Sequence, residues 1–569
     1  MLDVLITGGL VADGTGGPVR RADVGIREGR IVQLAAPGSI SDGAARRVDA
    51  DGLVVSPGFI DVHTHQDAQV FWDAACTPSP LHGATTVIAG NCGFSIAPLG
   101  AEQGDYLMRM LARVEGIPLE TLVAGVPWNW RTTSEYLQRV EAAGPAINMG
   151  FMVGHSALRH LVMGADAVGH VATPAQVEAM CALLRDGLAA GGMGFSSSWA
   201  TTHWDGDGNA VPSRAASAEE LISLAGVLHD FPGTQLEFIP TIQDFEERHL
   251  EIMTAMALAA GRPLNWNVLI PRGNAREATE HKLAASDYAA ARGARVLALS
   301  YPDVIRSRMT FLGAGFDGIP GWAPTMALPP SEKLAALADP SVRARLFAHG
   351  ESPEAGNYRE TVTRWADMVV SETYSAETKP FEGRRLGDIA AERGQKPFDA
   401  MCDIVALDDL RTGLVPVPPA DDSDSWDLRV DSWRDPRVVL GASDAGAHLD
   451  LLATFDWATR FLALTRDMGV MPIEEAVHRI TGVQADLYGL TGRGHISEGA
   501  IADLVLFDAA SIGPGRVAWQ EDLPGGAGRL YGVADGIERV LVDGRDVVVA
   551  GDLTGDQPGH VLRAGRDTR

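Results

Sequence analysis

The stretch PGFIDVHTH, from Pro57 to His65, decides how this chain is interpreted. A short apolar run leads directly into His63 and His65, and Pro57 and Gly58 are typical of a strand start. Side chains on a strand alternate between its faces, so the two histidines project to the same side at the strand end. Histidine is the commonest metal ligand at neutral pH, and this pair predicts a metal site. The alternative is a polar loop that follows an apolar run by chance.

The composition indicates a globular protein that does not bind nucleic acid. The chain has 569 residues, of which 46% are hydrophobic and 21% are charged, enough for a large core and more than one domain. Its formal net charge of −27 opposes binding to a phosphate backbone, because such binding depends on lysine and arginine. Nucleic acid is therefore excluded as a partner.

The termini and cysteines predict a cytoplasmic protein without a membrane segment. The N-terminus, MLDVLITGGLVADG, has no basic lead before its apolar residues and is typical of a strand and turn, not a signal peptide. No apolar run is long enough to span a bilayer. The four cysteines, at positions 76, 92, 181 and 402, lack paired spacing, which argues against a disulfide framework.

Short strand-like segments lie at both ends of the chain. LDVLITGGLV, ADVGIREGRIVQLA and GLVVSP occur within residues 1–57, separated by glycine and aspartate turns. GAIADLVLFDAA and IERVLVDGRDVVVAG repeat this texture within residues 497–569. We expect the two terminal segments to pair into one small β-sandwich domain.

Residues 58–496 alternate strand-like runs with helical patterns, which predicts an α/β fold with parallel βαβ units. With FIDVHTH, the runs are ATTVIAGN (84–91), AINMGFMVGH (146–155), GMGFSSS (192–198), TQLEFIP (234–240), LNWNVLI (264–270), RVLALS (295–300) and VVLGASD (438–444). Eight such runs predict a closed (β/α)₈ TIM barrel. The length requires an insertion, expected at about 301–435, with VPVPPADDSDSW as an exposed loop and PSEKLAALADPSVRARLFAH as helices over the barrel mouth.

Active sites of such barrels lie at the carboxyl ends of the strands, so the polar residues there are candidates for chemistry. Cys92, in GNCG after the second strand, could offer a thiolate to the ion that His63 and His65 hold. Its alternative is a buried structural cysteine. Asp444, in LGASDAGAH at the last strand, could reach the same ion and accept a proton, and its alternative is an Asx turn or helix cap.

These motifs together resemble a known family. PGFIDVHTH, GATTVIAGNCG, VGHSALR, ASDAGAH and the closing RGHISEGAIADLVLFD are similar to the amidohydrolase superfamily, in its N-acyl-D-amino-acid deacylase (D-aminoacylase) branch. The resemblance implies a zinc-dependent barrel hydrolase with a small β-sandwich built from both chain ends. It also implies that His63, His65, Cys92 and Asp444 are metal ligands and that Asp444 is the catalytic acid/base.

The chain departs from that family at the metal site. The family supplies two further histidines, from strands 5 and 6, whereas TQLEFIP and LNWNVLI contain none. Glu237 and Asn267 lie nearest to those positions. We expect Glu237 to be a substitute ligand or a carboxylate paired elsewhere, and Asn267 to contact substrate. The number of zinc ions, one or two, stays open.

A second departure concerns the substrate. Where the family binds the substrate carboxylate with a lysine and an arginine, this chain has Ile270 and Asp450, which disfavours a free carboxylate. His155, Arg159 and His203 are predicted to contact substrate. The alternative for His155 is a structural histidine that anchors its loop through Ser156 or Arg159, and His203 could instead replace a missing ligand.

The sequence thus predicts an enzyme that hydrolyses an amide C–N bond of a small molecule with zinc. One alternative is a cyclic amide hydrolase of the hydantoinase type, which normally needs a carboxylated lysine on strand 4, and GMGFSSS contains no lysine. A second alternative is an inactive barrel that serves as a binding subunit. The oligomeric state stays open, a homo-oligomer included.

Overall fold

The computed structural model describes residues 1–100, 103–313 and 315–569. The strands are β1 (Leu2–Val11), β2 (Arg20–Arg27), β3 (Arg30–Ala35), β4 (Ala44–Asp49), β5 (Val54–Pro57), β6 (Phe59–Asp61), β7 (Ala84–Ala89), β8 (Asn148–Phe151), β9 (Val153–Gly154), β10 (Gly194–Ser198), β11 (Gln235–Ile239), β12 (Leu264–Trp266), β13 (Val296–Ser300), β14 (Val369–Glu372), β15 (Gly413–Val415), β16 (Val438–Leu440), β17 (Leu504–Phe507), β18 (Val517–Gln520), β19 (Arg529–Gly532), β20 (Ile537–Val542), β21 (Arg545–Val549) and β22 (Asp552–Leu553).

The α-helices are α1 (Gly104–Val114), α2 (Leu119–Gly125), α3 (Thr133–Ala143), α4 (His155–Met163), α5 (Pro174–Ala189), α6 (Ala218–Val227), α7 (Glu247–Ala260), α8 (Arg276–Ala290), α9 (Ala323–Met326), α10 (Pro330–Ala338), α11 (Pro340–Glu351), α12 (Leu386–Arg393), α13 (Pro397–Leu407), α14 (Ser423–Ser432), α15 (Trp457–Met468), α16 (Ile473–Ile480) and α17 (Gly482–Tyr488). Among the described residues, none of these helices has the length and apolarity needed to cross a bilayer.

The two ends of the chain share one sheet. Its strand order is β22-β21-β20-β17-β5-β1-β2-β3, with β4 paired to β1. The ends meet where β5 and β17 pair antiparallel, with Pro57 opposite Leu504. Alternating apolar side chains of these strands, including Val4, Ile6 and Leu541, pack into one buried cluster. This sheet therefore ties the strand that precedes PGFIDVHTH to the C-terminal segment.

The strands between these ends pair parallel. One set runs β6-β7-β8 and the other runs β9-β10-β11-β12-β13-β16. Only Met152 separates β8 from β9. All seven runs expected beside FIDVHTH contain strands, and helices alternate with most of them, so the predicted α/β alternation is confirmed. Beyond their ends, Thr64 and Ala445 form a parallel bridge, so the first and last strands are also neighbours.

These strands are buried on both faces, which explains their continuous apolar sequences. Helices lie between these strands along the chain. The helix α5 begins with a capping box, in which Thr173 and Gln176 satisfy each other's backbone groups, and it buries Met180, Leu184 and Leu188. Because neighbouring strands are parallel, the polar residues that follow them lie at the same edge of each sheet.

A long segment separates β13 from its parallel neighbour β16, and the insertion at about 301–435 stays a prediction. It has its own apolar cluster around the buried Trp322. The expected helices are present as α10 and α11. The expected loop VPVPPADDSDSW is only partly a loop, because α14 begins within it at Ser423. Asp422 starts that helix by accepting a hydrogen bond from the Ser425 N–H at 3.0 Å.

Candidate metal centre

Three metal-ligating side chains meet just beyond β6 and β7. Cys92 Sγ lies 3.4 Å from His63 Nε2 and 3.9 Å from His65 Nε2. His63, His65 and Cys92 are all buried, and their ligand atoms all lie within 4.8 Å of one another. Within the described residues, these three form the one group of three or more His, Cys, Asp or Glu side chains whose ligand atoms come this close together.

The chain turns sharply to place Cys92 here. Gly90 has φ of 78°, and a Cβ on it would lie 2.6 Å from the Met152 oxygen, so only glycine fits without a shift. Cys92 itself adopts a left-handed φ of 55°. Ser196 on β10 fixes the turn from the side: its hydroxyl donates to the Gly90 oxygen at 2.5 Å and accepts from the Gly93 N–H at 3.0 Å.

Asp444 faces the two histidines from the end of β16. Its Oδ1 lies 3.1 Å from His63 Nε2 and 3.7 Å from His65 Nε2, and its side chain is 36% exposed. Ser443, the residue before Asp444, donates a hydrogen bond to the His63 backbone oxygen at 3.2 Å and so links the two segments. Burial alone would raise the pKa of Asp444, but hydrogen bonds and charge from His63 and His65 hold it below its usual range.

The donor set fits zinc. Zinc in proteins takes histidine nitrogen at about 2.0–2.1 Å and cysteine sulfur at about 2.3 Å in a tetrahedron, which separates a nitrogen from the sulfur by about 3.6 Å. The sulfur lies 3.4 Å and 3.9 Å from the two histidine nitrogens, on either side of that value. Burial raises the pKa of the Cys92 thiol, and Glu237, Glu115 and Asp444 raise it further. A cation between His63, His65 and Cys92 would offset the negative charge of the thiolate and of the nearby carboxylates.

Glu237 and Asn267 lie directly behind these ligands. Glu237 Oε2 accepts the Cys92 N–H at 2.8 Å, and its Oε1 accepts a hydrogen bond from the Asn267 amide. The same Asn267 Nδ2 lies 2.8 Å from His63 Nδ1. Burial raises the pKa of Glu237 to about 8 despite the Cys92 N–H and the His65 charge. This geometry favours the expected alternative for Glu237, a carboxylate paired within the protein. Asn267 thus contacts two side chains at the centre, those of His63 and Glu237.

His155 and Arg159 lie in the interior, where both contact Glu220, and their predicted contact with substrate stays a prediction. Both side chains are fully buried. His155 Nδ1 lies 2.8 Å from Ser197 Oγ, and its Nε2 lies 2.8 Å from Glu220 Oε1. Arg159 pairs with the same Glu220. With both ring nitrogens occupied, this geometry favours the expected alternative for His155, an anchor linked to Arg159 through this carboxylate.

His203 lies in the loop after β10, half-buried against the ring of Phe94. Its Nδ1 lies 2.9 Å from Ser198 Oγ. Burial, followed by the nearby positive charges of His65 and His448, lowers the pKa of His203 to about 3. It is therefore a neutral imidazole at ordinary pH. Its predicted contact with substrate stays a prediction.

The sequence interpretation missed three acidic residues around the centre. Glu115 Oε1 lies 3.4 Å from His65 Nδ1, and no local pattern marks it. Asp61 accepts hydrogen bonds from the His63 N–H at 3.3 Å and from Trp457 Nε1 at 3.1 Å. Asp67 accepts from the Gly90 N–H at 2.9 Å. Asp61 and Asp67 continue the two-residue spacing of His63 and His65, which is the signal that could have found them.

A cavity of about 500 Å³ is lined by Gly116, the residue after Glu115, and by Asp450. Burial raises the pKa of Asp450. Arg308 donates to the Asp450 backbone oxygen at 3.3 Å, while its guanidinium pairs with Glu372. Ile270 lines a separate small cavity with Tyr301 and Asp303.

Comparison with known proteins agrees with this geometry. A family model described as "Amidohydrolase family" matches residues 46–548. A D-aminoacylase of Alcaligenes xylosoxydans xylosoxydans is 29% identical, over 98% of this chain and 97% of its own length. A solved D-aminoacylase, reported with a binuclear metal centre, one-metal activation and second-metal attenuation, has a TM-score of 0.63 at 28% identity and covers 99% of this chain and all of its own.

A second solved structure covers the same share of both chains. It is N-acyl-D-glutamate deacylase from Bordetella bronchiseptica, complexed with zinc and a phosphonate inhibitor that mimics the tetrahedral intermediate, with a TM-score of 0.64 at 27% identity. The family model alone matches well over half of the chain. This chain belongs to the amidohydrolase family.

Proposed function

We propose that this protein is a metal-dependent hydrolase of an amide C–N bond, of the N-acyl-D-amino-acid deacylase type. The observation that carries the proposal is the meeting of His63, His65 and Cys92 with the carboxylate of Asp444 at one buried point. The relatives named D-aminoacylase and N-acyl-D-glutamate deacylase support the reaction class.

His63, His65 and Cys92 would hold a zinc ion, with Asp444 at the open side of the site. Zinc, when bound, polarises a carbonyl group and lowers the pKa of a water molecule toward about 7. Asp444 faces both histidines, and its partly exposed side chain is accessible to water. Asp444 therefore accepts the proton of the attacking water and passes it to the departing nitrogen, which leaves as an amine.

The architecture supports this assignment. We infer that β6, β7, β8 with β9, β10, β11, β12, β13 and β16 form a closed (β/α)₈ barrel, with the Thr64–Ala445 bridge joining its first and last strands. The segments 1–57 and 497–569 would form the β-sandwich, and 58–496 the barrel with its insertion. A cytoplasmic location is a further part of the proposal.

The substrate proposed is an N-acyl amino acid whose carboxylate is masked, as an amide or ester. The cavity that Asp450 lines also holds the carboxylates of Glu120 and Glu521 and the guanidinium groups of Arg308 and Arg411. Arg308 already pairs with Glu372, so a free carboxylate would meet a lining with an excess of negative charge. A cyclic amide is less favoured, because β10, with the sequence GFSSS, contains no lysine to be carboxylated.

The test is a substrate panel with zinc-loaded protein. The panel contains N-acyl-D-amino acids, their L enantiomers, the corresponding amides and esters, hydantoins and cyclic imides, and release of amine or ring opening is measured. We expect amine release from an N-acyl compound that stops when zinc is removed and returns when it is restored. Zinc-loaded protein that hydrolyses none of the panel would instead indicate the alternative, an inactive barrel that binds a partner.

A further inference from the structure

We infer that this chain holds a single divalent cation, between His63, His65 and Cys92, and that Glu237 and Asn267 are positioning residues for that ion's ligands. The inference rests on the metal-dependent function proposed above. It differs from the arrangement reported for the similar D-aminoacylase, which has a binuclear metal centre.

The hydrogen bonds of Glu237 argue against a role as ligand of a second ion. One oxygen accepts the Cys92 backbone N–H at 2.8 Å, and the other accepts a hydrogen bond from Asn267. Both oxygens are thus engaged by protein donors at a buried position, where a donor that loses its partner is costly. Glu237 therefore fixes the turn that presents the Cys92 sulfur.

Asn267 holds the ring of His63 from the opposite side. Its amide lies 2.8 Å from His63 Nδ1, while Nε2 of the same ring faces Cys92 and Asp444. A histidine that ligates through one nitrogen is normally oriented by a hydrogen bond at the other, and an amide can present either its N–H or its oxygen there. Because the same Asn267 Nδ2 contacts both His63 Nδ1 and Glu237 Oε1, this amide links the His63 ring to the carboxylate behind Cys92.

The chemistry of the potential metal ligands also favours a single ion. Zinc prefers nitrogen and sulfur ligands, and an amide is a poor ligand for it. No other group of three or more metal-ligating side chains comes together within the ranges 1–100, 103–313 and 315–569. Behind Cys92, Glu237 and Asn267 are hydrogen-bonded to each other. One ion is the count these side chains accommodate.

The experiment titrates metal-free, full-length protein with Co²⁺ and follows its visible spectrum, with metal content measured after desalting. We expect one equivalent in the unmodified protein, with a thiolate-to-cobalt band that Cys92→Ser removes. Glu237→Gln should keep one equivalent and the same spectrum, because no ligand atom is lost. Asn267→Ala should also bind one equivalent, but about 10-fold to 100-fold more weakly, because the His63 ring loses its support.

The matched control is Asn274→Ala, which changes an exposed asparagine in the segment between β12 and α8 that also contains Asn267. This variant should leave Co²⁺ binding unchanged. Two equivalents in the unmodified protein, or a spectrum altered by Glu237→Gln, would overturn the inference, as would unchanged affinity in Asn267→Ala. Because the readout is metal content and spectrum, failure here is distinguishable from failure of the proposed function, which the substrate panel reports.

Discussion

His63 Nε2 lies 3.1 Å from Asp444 Oδ1, although 381 positions separate these two residues along the chain. The contact joins a residue two positions after β6 to a residue four positions after β16, and the adjacent Thr64–Ala445 bridge holds the two chain segments together. The relationship brings a group able to accept a proton within reach of the proposed ion.

The first prediction concerns Asp444. Replacing it by asparagine should reduce kcat by about 10²-fold to 10⁴-fold, the usual contribution of general acid–base catalysis. The three donors His63, His65 and Cys92 remain, so the variant should still bind its metal. Steady-state kinetics and metal analysis on the same sample check both parts. Asp467→Asn, an exposed carboxylate on α15, is the control and should keep full activity. Near-normal turnover in Asp444→Asn would show that another group accepts the proton.

The second prediction separates an anchoring role from a substrate contact for His155 and Arg159. Glu220→Gln removes the charge that both side chains face, and breaking a buried ion pair typically costs about 3–5 kcal/mol. We expect the free energy of unfolding to fall by that order while kcat/KM of the folded enzyme changes less than about twofold. Denaturant unfolding and kinetics measure the two effects. Glu219→Gln, on the exposed side of α6, is the matched control.

A loss of kcat/KM without a loss of stability in Glu220→Gln would point the other way. It would indicate that this buried network orients the substrate.

The third prediction concerns substrate charge. Asp450→Asn should raise kcat/KM for N-acyl amino acids with a free carboxylate by about tenfold, roughly 1.4 kcal/mol, the order of like-charge repulsion in a partly solvated cavity. The corresponding amides should be affected much less, because they carry no such charge. Glu120→Gln, a second carboxylate of the same cavity, provides the comparison. Equal changes for acids and amides would place the substrate's carboxyl end outside this cavity.

The fourth prediction is a loss of stability in acid through His82. Burial lowers the pKa of His82 to about 4, although Asp456 acts in the opposite direction. His82 Nδ1 lies 2.9 Å from Thr459 Oγ1 and its Nε2 lies 3.3 Å from the Gly532 oxygen, so the neutral ring is held between two partners. An unfolded histidine has a pKa of about 6.5. Between these values the unfolded chain binds a proton that the folded protein excludes, so stability falls as pH falls.

This single group should contribute up to about 1.4 kcal/mol for each pH unit in that window. Unfolding midpoints measured at about pH 7.5 and about pH 5 should differ less in His82→Gln than in the unmodified protein. His281→Gln, an exposed histidine on α8, should leave the difference unchanged. If the unfolding midpoint falls by the same amount in His82→Gln as in the unmodified protein, other groups dominate the pH dependence of stability in this range.

Local patterns were sufficient for most of the fold. Runs such as QLEFI and VLALS form strands because they are apolar, flanked by turns and buried on both faces, properties that are visible in a short window. The start of α14 was missed because VPVPPADDSDSW is typical of a polar loop. Its helix depends on the cap that Asp422 provides.

By itself, the sequence determined that His63, His65 and Cys92 follow strands, and the two-residue spacing of the histidines placed both on one side. Only the tertiary structure decided what surrounds them: Glu115 beside His65, and Glu237 and Asn267 behind Cys92 and His63. It also buried His155 and Arg159 against Glu220. The physical reason is that these contacts join residues far apart in the chain, whose distances depend on strand pairing and packing, whereas spacing along one strand depends only on its local geometry.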